Sequence, residues 1–127
     1  MIKFNNEKVL LLQQLIIQET GGSLGVRDVN LLNSAIESCY QTFDKKELYP
    51  TKEEKCAKLC FSLISNHAFL DGNKRVGVLV MLSFLAINGV SLSYIDEELI
   101  DIGLDLASGK MEYEDLLEWI HCHKVEH

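Results

Sequence analysis

The 127-residue chain has a single proline, Pro50. Proline breaks a helix interior by removing an N–H and clashing with the preceding turn, so helices are free to run almost everywhere else. None of the four cysteines, Cys39, Cys56, Cys60 and Cys122, forms a Cys-x-x-Cys pair. That excludes the common redox dithiol motif and paired zinc knuckles, and points to small buried hydrophobes in a reducing compartment. A basic excess is also missing: 12 Lys and Arg stand against 19 Asp and Glu, a net charge of −7. This balance excludes nucleic acid as the main partner, because a duplex needs a basic face. Long apolar runs are absent. The longest, Val76–Ile87, is interrupted by Gly77 and Ser83 and is too short to span a bilayer. The N-terminus, Met1-Ile2-Lys3-Phe4-Asn5, has no apolar core of a secretory signal. The expectation is therefore a cytoplasmic protein with no membrane partner.

What remains has a globular balance, 47% hydrophobic and 24% charged. The length suits one domain spanning residues 1–127, able to fold without disulfides or a metal. Hydrophobic periodicity predicts six helices. The first runs from about Asn6 to Thr20, with Val9, Leu12, Leu15 and Ile16 on its apolar face, and Gly21-Gly22 ends it. Asp28 caps a second helix that buries Leu31, Leu32, Ala35 and Ile36. Residues Phe43 to Pro50 lack a period and read as a loop, with room for a short extended pair. Thr51-Lys52-Glu53-Glu54 has the form of a capping box opening a third helix that turns Ala57, Cys60, Phe61 and Ile64 inward. The fourth helix, Asn73 to about Asn88, is apolar almost all round, which marks the buried centre of a bundle. A fifth fits Asp96–Ala107, closed by Gly109, and a sixth fits Tyr113–His121, burying Leu116, Leu117 and Ile120. The fold class is all-α.

The chemistry concentrates in His67-Ala68-Phe69-Leu70-Asp71-Gly72-Asn73-Lys74-Arg75, between the third and fourth helices. Gly72 supplies the freedom that a tight turn needs. The first turn of a helix offers unpaired N–H groups and a partial positive charge, which suits a phosphate. His67 is either a polar cap at the end of the third helix or, beside the phosphate-suited helix start, a general base. Asp71 is either a ligand for Mg²⁺ or the cap of the following helix. Asn73 donates either to a phosphate or to the loop backbone. Lys74 and Arg75 are the phosphate ligands, since cations are disfavoured at a helix start unless an anion compensates them. Phe69 anchors the loop. His121, Cys122 and His123 match no standard metal-site spacing.

The nine-residue run resembles the signature of the Fic/Doc family, H-x-F-x-[DE]-[GA]-N-[GK]-R. Lys74 is similar to the Doc (death-on-curing) branch, where Fic enzymes have glycine. Gly21-Gly22-Ser23-Leu24-Gly25-Val26-Arg27-Asp28, Tyr49-Pro50-Thr51 and Phe84-Leu85 with Asn88-Gly89 resemble the same branch. Arg27 and Asp28 fit its pattern, with loop architecture and capping as their expected work and contact with a target as the lesser alternative. The resemblance covers roughly residues 4 to 121 and implies a helical bundle of about six helices around a buried central helix, with a small flap.

Fic enzymes usually carry another Arg three positions after the first, which falls at Val78 here. Its absence agrees with the Doc branch. The resemblance implies that Doc-type enzymes bind ATP in the reverse sense and transfer the γ-phosphoryl group rather than the nucleotide. The expectation is a toxin kinase: His67 as base, Asp71 on Mg²⁺, and Gly72, Asn73, Lys74 and Arg75 with the helix amides on ATP. The resemblance implies a Ser or Thr hydroxyl of a translation factor, elongation factor Tu, as target and growth arrest as outcome. The alternatives are a Fic-type AMP or other nucleotidyl transferase and a catalytically silent binding module. Related Fic proteins carry an inhibitory helix with a pattern like [ST]-x-x-x-E-[GN]. The nearest segment here, Ser93-Tyr94-Ile95-Asp96-Glu97-Glu98, fails at its last position. Inhibition in trans by a cognate antitoxin is therefore expected, through an amphipathic segment folding into a groove near the motif.

Overall fold

The computed structural model describes residues 1–125. Its elements follow in the order α1 (Asn6–Thr20), α2 (Val29–Ser38), β1 (Thr42–Phe43), β2 (Lys46–Glu47), α3 (Lys52–Asn66), α4 (Asn73–Ile87), α5 (Asp96–Ser108) and α6 (Tyr113–His123). The all-α reading holds, and every helix begins within a residue of its expected start. No helix among the described residues is long and apolar enough to cross a membrane.

Local capping explains most of the starts. Asn5 Oδ1 accepts from the Lys8 amide at 3.0 Å, and Asp28 Oδ1 accepts from the amides of Asn30 and Leu31 at 2.9 and 3.1 Å. Thr51 Oγ1 accepts from the Glu54 amide at 3.1 Å. Glu54 does reach back, but to the Thr51 hydroxyl at 2.9 Å rather than to its backbone N–H. Thr51 to Glu54 is thus half of a capping box. At the far end of α4, Asn88 takes the cap position and Gly89 turns left-handed at φ 83°, which stops the helix where the Asn-Gly pair predicts. The stretch without a period becomes a hairpin. Thr42 lies opposite Glu47 and Phe43 opposite Lys46, joined by Asp44 and Lys45, both at positive φ. Buried Lys55 ties this hairpin to α3, reaching Glu47 Oε1 at 3.0 Å and the Tyr49 carbonyl.

Buried residues of all six helices join one core. α4 is central, with Val76, Val80, Met81, Phe84 and Leu85 buried, but α3 shares the centre. It packs against α4, α2, α6 and α5, whereas α4 packs against α3, α1 and α5. Close approach of α3 and α4 requires Gly77, where a Cβ would lie 2.5 Å from Ile64 Cγ1.

One helix face differs from expectation. Leu15 is 45% exposed, while Gln13 is 1% exposed. Val9, Gln13 and Ile16 form the inward stripe of α1, and Leu15 stands about 120° from Val9 around the helix axis at 100° per residue. Leu31, Phe61 and Leu117 are only partly buried, packing on the rim of the core.

Candidate active site at the α3–α4 junction

α3 ends at Asn66, and His67 takes its cap position in the left-handed region, φ 49° and ψ 49°. That conformation costs an L residue roughly 1–2 kcal/mol, and histidine tolerates it better than most. The imidazole is exposed. The chain then turns inward, burying Ala68 and Phe69, so Phe69 anchors the loop as expected. Asn73 fastens it from below: the Phe69 amide donates to Asn73 Oδ1 at 3.0 Å, and Asn73 Nδ2 donates to the Phe69 carbonyl at 3.1 Å. Of the two roles open to Asn73, the structure shows the bond to the loop backbone.

Gly72 caps α4 at φ 83° and ψ 11°, and no side chain caps this helix end. Asp71 therefore does not cap α4. Its Oδ2 accepts from the Ser23 amide at 2.7 Å, and Gly22 lies so close that a Cβ there would be 3.2 Å from the same oxygen. Lys74 and Arg75 are exposed on the first turn of α4, and neither forms an ion pair among the described residues. Two cations without an ion pair among the described residues, at the positive end of a 15-residue helix, are an arrangement that suits an anion. The Lys74 stem lies on α5 at Gly103, where a Cβ would come within 3.3 Å of Lys74 Cβ.

His67, Asp71, Gly72, Asn73, Lys74 and Arg75, with Leu70, line one polar pocket of about 260 Å³. The structure thus brings all six expected site residues together. A histidine, a carboxylate and a helix start with two cations surround one space, an arrangement of groups that can serve group transfer to a hydroxyl. Mg²⁺ usually keeps waters and binds through one or two carboxylates plus substrate phosphates. A single exposed carboxylate at the mouth of an anion site fits that donor set.

A second loop supports the site. Residues 21–28 lie against residues 67–71, with Val26 paired antiparallel to Phe69. The Leu70 amide donates to the Gly25 carbonyl at 3.1 Å, and the Arg27 amide donates to the Ala68 carbonyl at 2.8 Å. Arg27 Nε donates to the His67 carbonyl at 2.9 Å, and Nη2 to the Asn66 carbonyl at 3.4 Å. Buried Gln13 bridges both loops: Nε2 donates to the carbonyls of Gly25 and Asp71 at 3.4 and 3.3 Å, while Oε1 accepts from the Gly25 amide at 3.3 Å. Sequence reasoning missed Gln13 and Ser23. The signal for Gln13 was a carboxamide within the apolar stripe of α1; Ser23 acts through its backbone and leaves no side-chain signal.

The remaining candidates lie elsewhere. His123 stacks on Trp119 and contacts Glu98 Oε2 at 2.6 Å and the Trp119 carbonyl at 2.7 Å, while Cys122 is exposed. No group of three metal-ligating side chains occurs among the described residues. Cys39, Cys56 and Cys60 are free and buried, as expected. Burial pushes the Cys39 thiol up to about 11, Cys60 to about 12 and Cys56 well above its ordinary value, so they stay protonated and inert.

An apolar groove of about 480 Å³ runs beside the polar pocket between α1, α4 and α5. Ile16, Val78, Leu79, Leu82, Leu99 and Leu104 line it, and Lys74 and Arg75 border both spaces.

The sequence profile of the Fic/DOC family matches residues 3–85, which contain the whole polar pocket. The chain is also similar to Toxin Doc of Mycolicibacterium smegmatis, 44% identical over 73 residues. That match covers 58% of this chain and 56% of the relative, so the chain spans about half the length of the curated relative it matches.

Proposed function

The chain belongs to the Fic/DOC family, and from that premise we propose that it is a Doc-type toxin that transfers the γ-phosphoryl group of ATP to a Ser or Thr hydroxyl of a translation factor, with elongation factor Tu as the target the resemblance implies. The observation that supports this reading is the start of α4, which carries Lys74 and Arg75, free of side-chain caps and ion pairs among the described residues, beside His67 and Asp71. The α4 amides, Lys74 and Arg75 hold the phosphates. His67 takes the proton of the target hydroxyl as its oxygen forms the new bond to the γ-phosphorus. The bond from that phosphorus to the β–γ bridging oxygen breaks, and ADP leaves with the electron pair. Asp71 would hold Mg²⁺, which would offset the charge of the triphosphate.

Two residues favour γ-phosphoryl over nucleotidyl transfer. Lys74 adds bulk and charge where a glycine would let a phosphate approach the backbone. Val78 is buried and lines the apolar groove, so the position of the second Fic arginine offers no cation. Parallel incubations of target with γ-labelled and α-labelled ATP test the reading. Label from γ alone is the expected result; label from α makes the chain a nucleotidyl transferase, and no label from either makes it a binding module.

Control in trans by an antitoxin completes this reading. An amphipathic helical segment fits the α1–α4–α5 groove, apolar face inward, and ends at Lys74 and Arg75, where it blocks the phosphate site. Asp96 on the groove and the net charge of −7 suit basic residues on that segment. Expression of the chain alone in a permissive bacterial host is expected to arrest growth, and the His67→Ala variant to relieve it. Harmless accumulation of unpartnered protein that is active in vitro would overturn this mode of control.

A further inference from the structure

The end of α3 is held in an unusual way. α1, α2, α4 and α5 each close their last turn with the backbone N–H of their own cap residue. α3, like α6, has no such closure, and it alone ends on a left-handed residue that is not glycine, His67. The carbonyls of Asn66, His67 and Ala68 are met instead by one residue 40 positions earlier. Arg27 donates from Nη2 to Asn66, from Nε to His67 and from its amide to Ala68. The fork of a guanidinium suits two adjacent carbonyls, which a lysine point charge does not.

Arg27 is itself held on both sides. The next residue, Asp28, caps α2 and donates its own amide to the Ala68 carbonyl at 3.2 Å. On the other side, buried Gln13 grips Gly25. Asn66 Nδ2 adds a bond to the Leu31 carbonyl of α2 at 3.2 Å. The N-terminus of α2 and the C-terminus of α3 are thereby joined through the backbone around His67.

We propose that Arg27 is a positioning residue for His67: its guanidinium, closing α3 from outside, holds the left-handed backbone that aims the imidazole into the polar pocket. This rests on the reading of His67 as the base. It accounts for the bonds that hold the backbone of an exposed histidine on a left-handed cap. Arg27 does not line the polar pocket, and its guanidinium acts through the carbonyls of residues 66 and 67.

The test compares Arg27→Gln, Arg27→Lys, His67→Ala and the Arg27→Gln/His67→Ala pair, using γ-labelled ATP and target, with the thermal midpoint of each variant. Arg27→Gln is expected to lower kcat about 10- to 100-fold, the scale of a 1 Å misplacement, with KM for ATP within about twofold. Arg27→Lys, which keeps one donor, should fall between it and wild type, and it remains informative where Arg27→Gln does not fold. Guanidinium at low millimolar concentration should restore part of the Arg27→Gln rate. In the His67→Ala background, Arg27→Gln should cause no further loss. The His67 ring signals in a ¹H–¹³C spectrum should move in Arg27→Gln and stay fixed in the distant control Lys110→Gln. Wild-type kcat with unmoved ring signals in folded Arg27→Gln would overturn the inference. So would an equal loss in both backgrounds. Moved ring signals together with full activity of His67→Ala would leave the positioning intact and overturn the base.

Discussion

The backbone amide of Ser23 donates to Asp71 Oδ2 over 2.7 Å, across 48 positions of sequence. One carboxylate oxygen is thereby engaged and oriented by the glycine-rich loop, and the other has no hydrogen-bond partner among the described residues. Gly22 makes this possible. It sits at φ 108°, and a Cβ there would press on the Asp71 side chain at 3.2 Å. Gly22→Ala is therefore expected to displace the carboxylate and raise the Mg²⁺ concentration needed for half-maximal transfer by about tenfold, the scale of a lost orienting contact. A Mg²⁺ titration of transfer rate checks this, and an unchanged titration would remove Asp71 as the ligand.

His67→Ala is expected to fold, because the imidazole is exposed and contributes nothing to the core. Transfer should fall by about 100-fold or more, the usual contribution of a general base. Near-normal labelling by a variant with a wild-type circular dichroism spectrum would refute the assignment.

Lys74→Gly removes a cation and uncovers the helix start. Loss of γ-label is expected, with a small gain of α-label, small because Val78 still supplies no second cation. Unchanged γ-transfer would mean that the nucleotide pose is set elsewhere.

Gly77→Ala should destabilise the fold by about 1–3 kcal/mol through overpacking, since its Cβ would meet Ile64 Cγ1 at 2.5 Å. Trimming the neighbour should help. The Gly77→Ala/Ile64→Val pair is expected to be more stable than the sum of the two single changes. Urea unfolding measures both, and strict additivity would argue against the contact.

Glu53 makes the acid limb of stability testable. Burial pushes its carboxyl up, but its own backbone N–H and Lys124, 3.2 Å away, outweigh that and hold it below the usual 4.5. A carboxyl lowered in the folded state stabilises above its unfolded pKa, and that contribution disappears as pH falls through the folded value. The thermal midpoint should drop between pH 5 and more acidic solution, and Glu53→Gln should flatten that drop. An identical pH profile for the variant would exclude Glu53 as a contributor.

Much of this protein was legible in its residues alone. Val9 and Ile16, Asp28 and Thr51, and the Asn88-Gly89 stop speak for their own helices, because helix periodicity and capping act over three or four positions. The site was legible for the same reason: His67 to Arg75 lie within nine residues, so one turn between two helices suffices to assemble them. What the residues left open are choices between distant partners. Asp71 takes Ser23 and not the start of α4, and Arg27 takes the carbonyls at the end of α3. Each is settled by how the loop of residues 21–28 packs on residues 67–71, which local spacing does not encode. Periodicity misplaced one face of α1 for the same reason, setting Leu15 on the apolar side where the structure buries Gln13 instead. Leu15 and Gln13 both sit among leucines and isoleucines, and only the neighbouring backbone groups of Gly25 and Asp71 turn the carboxamide inward and leave the leucine in solvent. Burial follows from what stands opposite, and a hydrogen-bonding group is drawn inside wherever the tertiary structure sets unpaired partners in front of it.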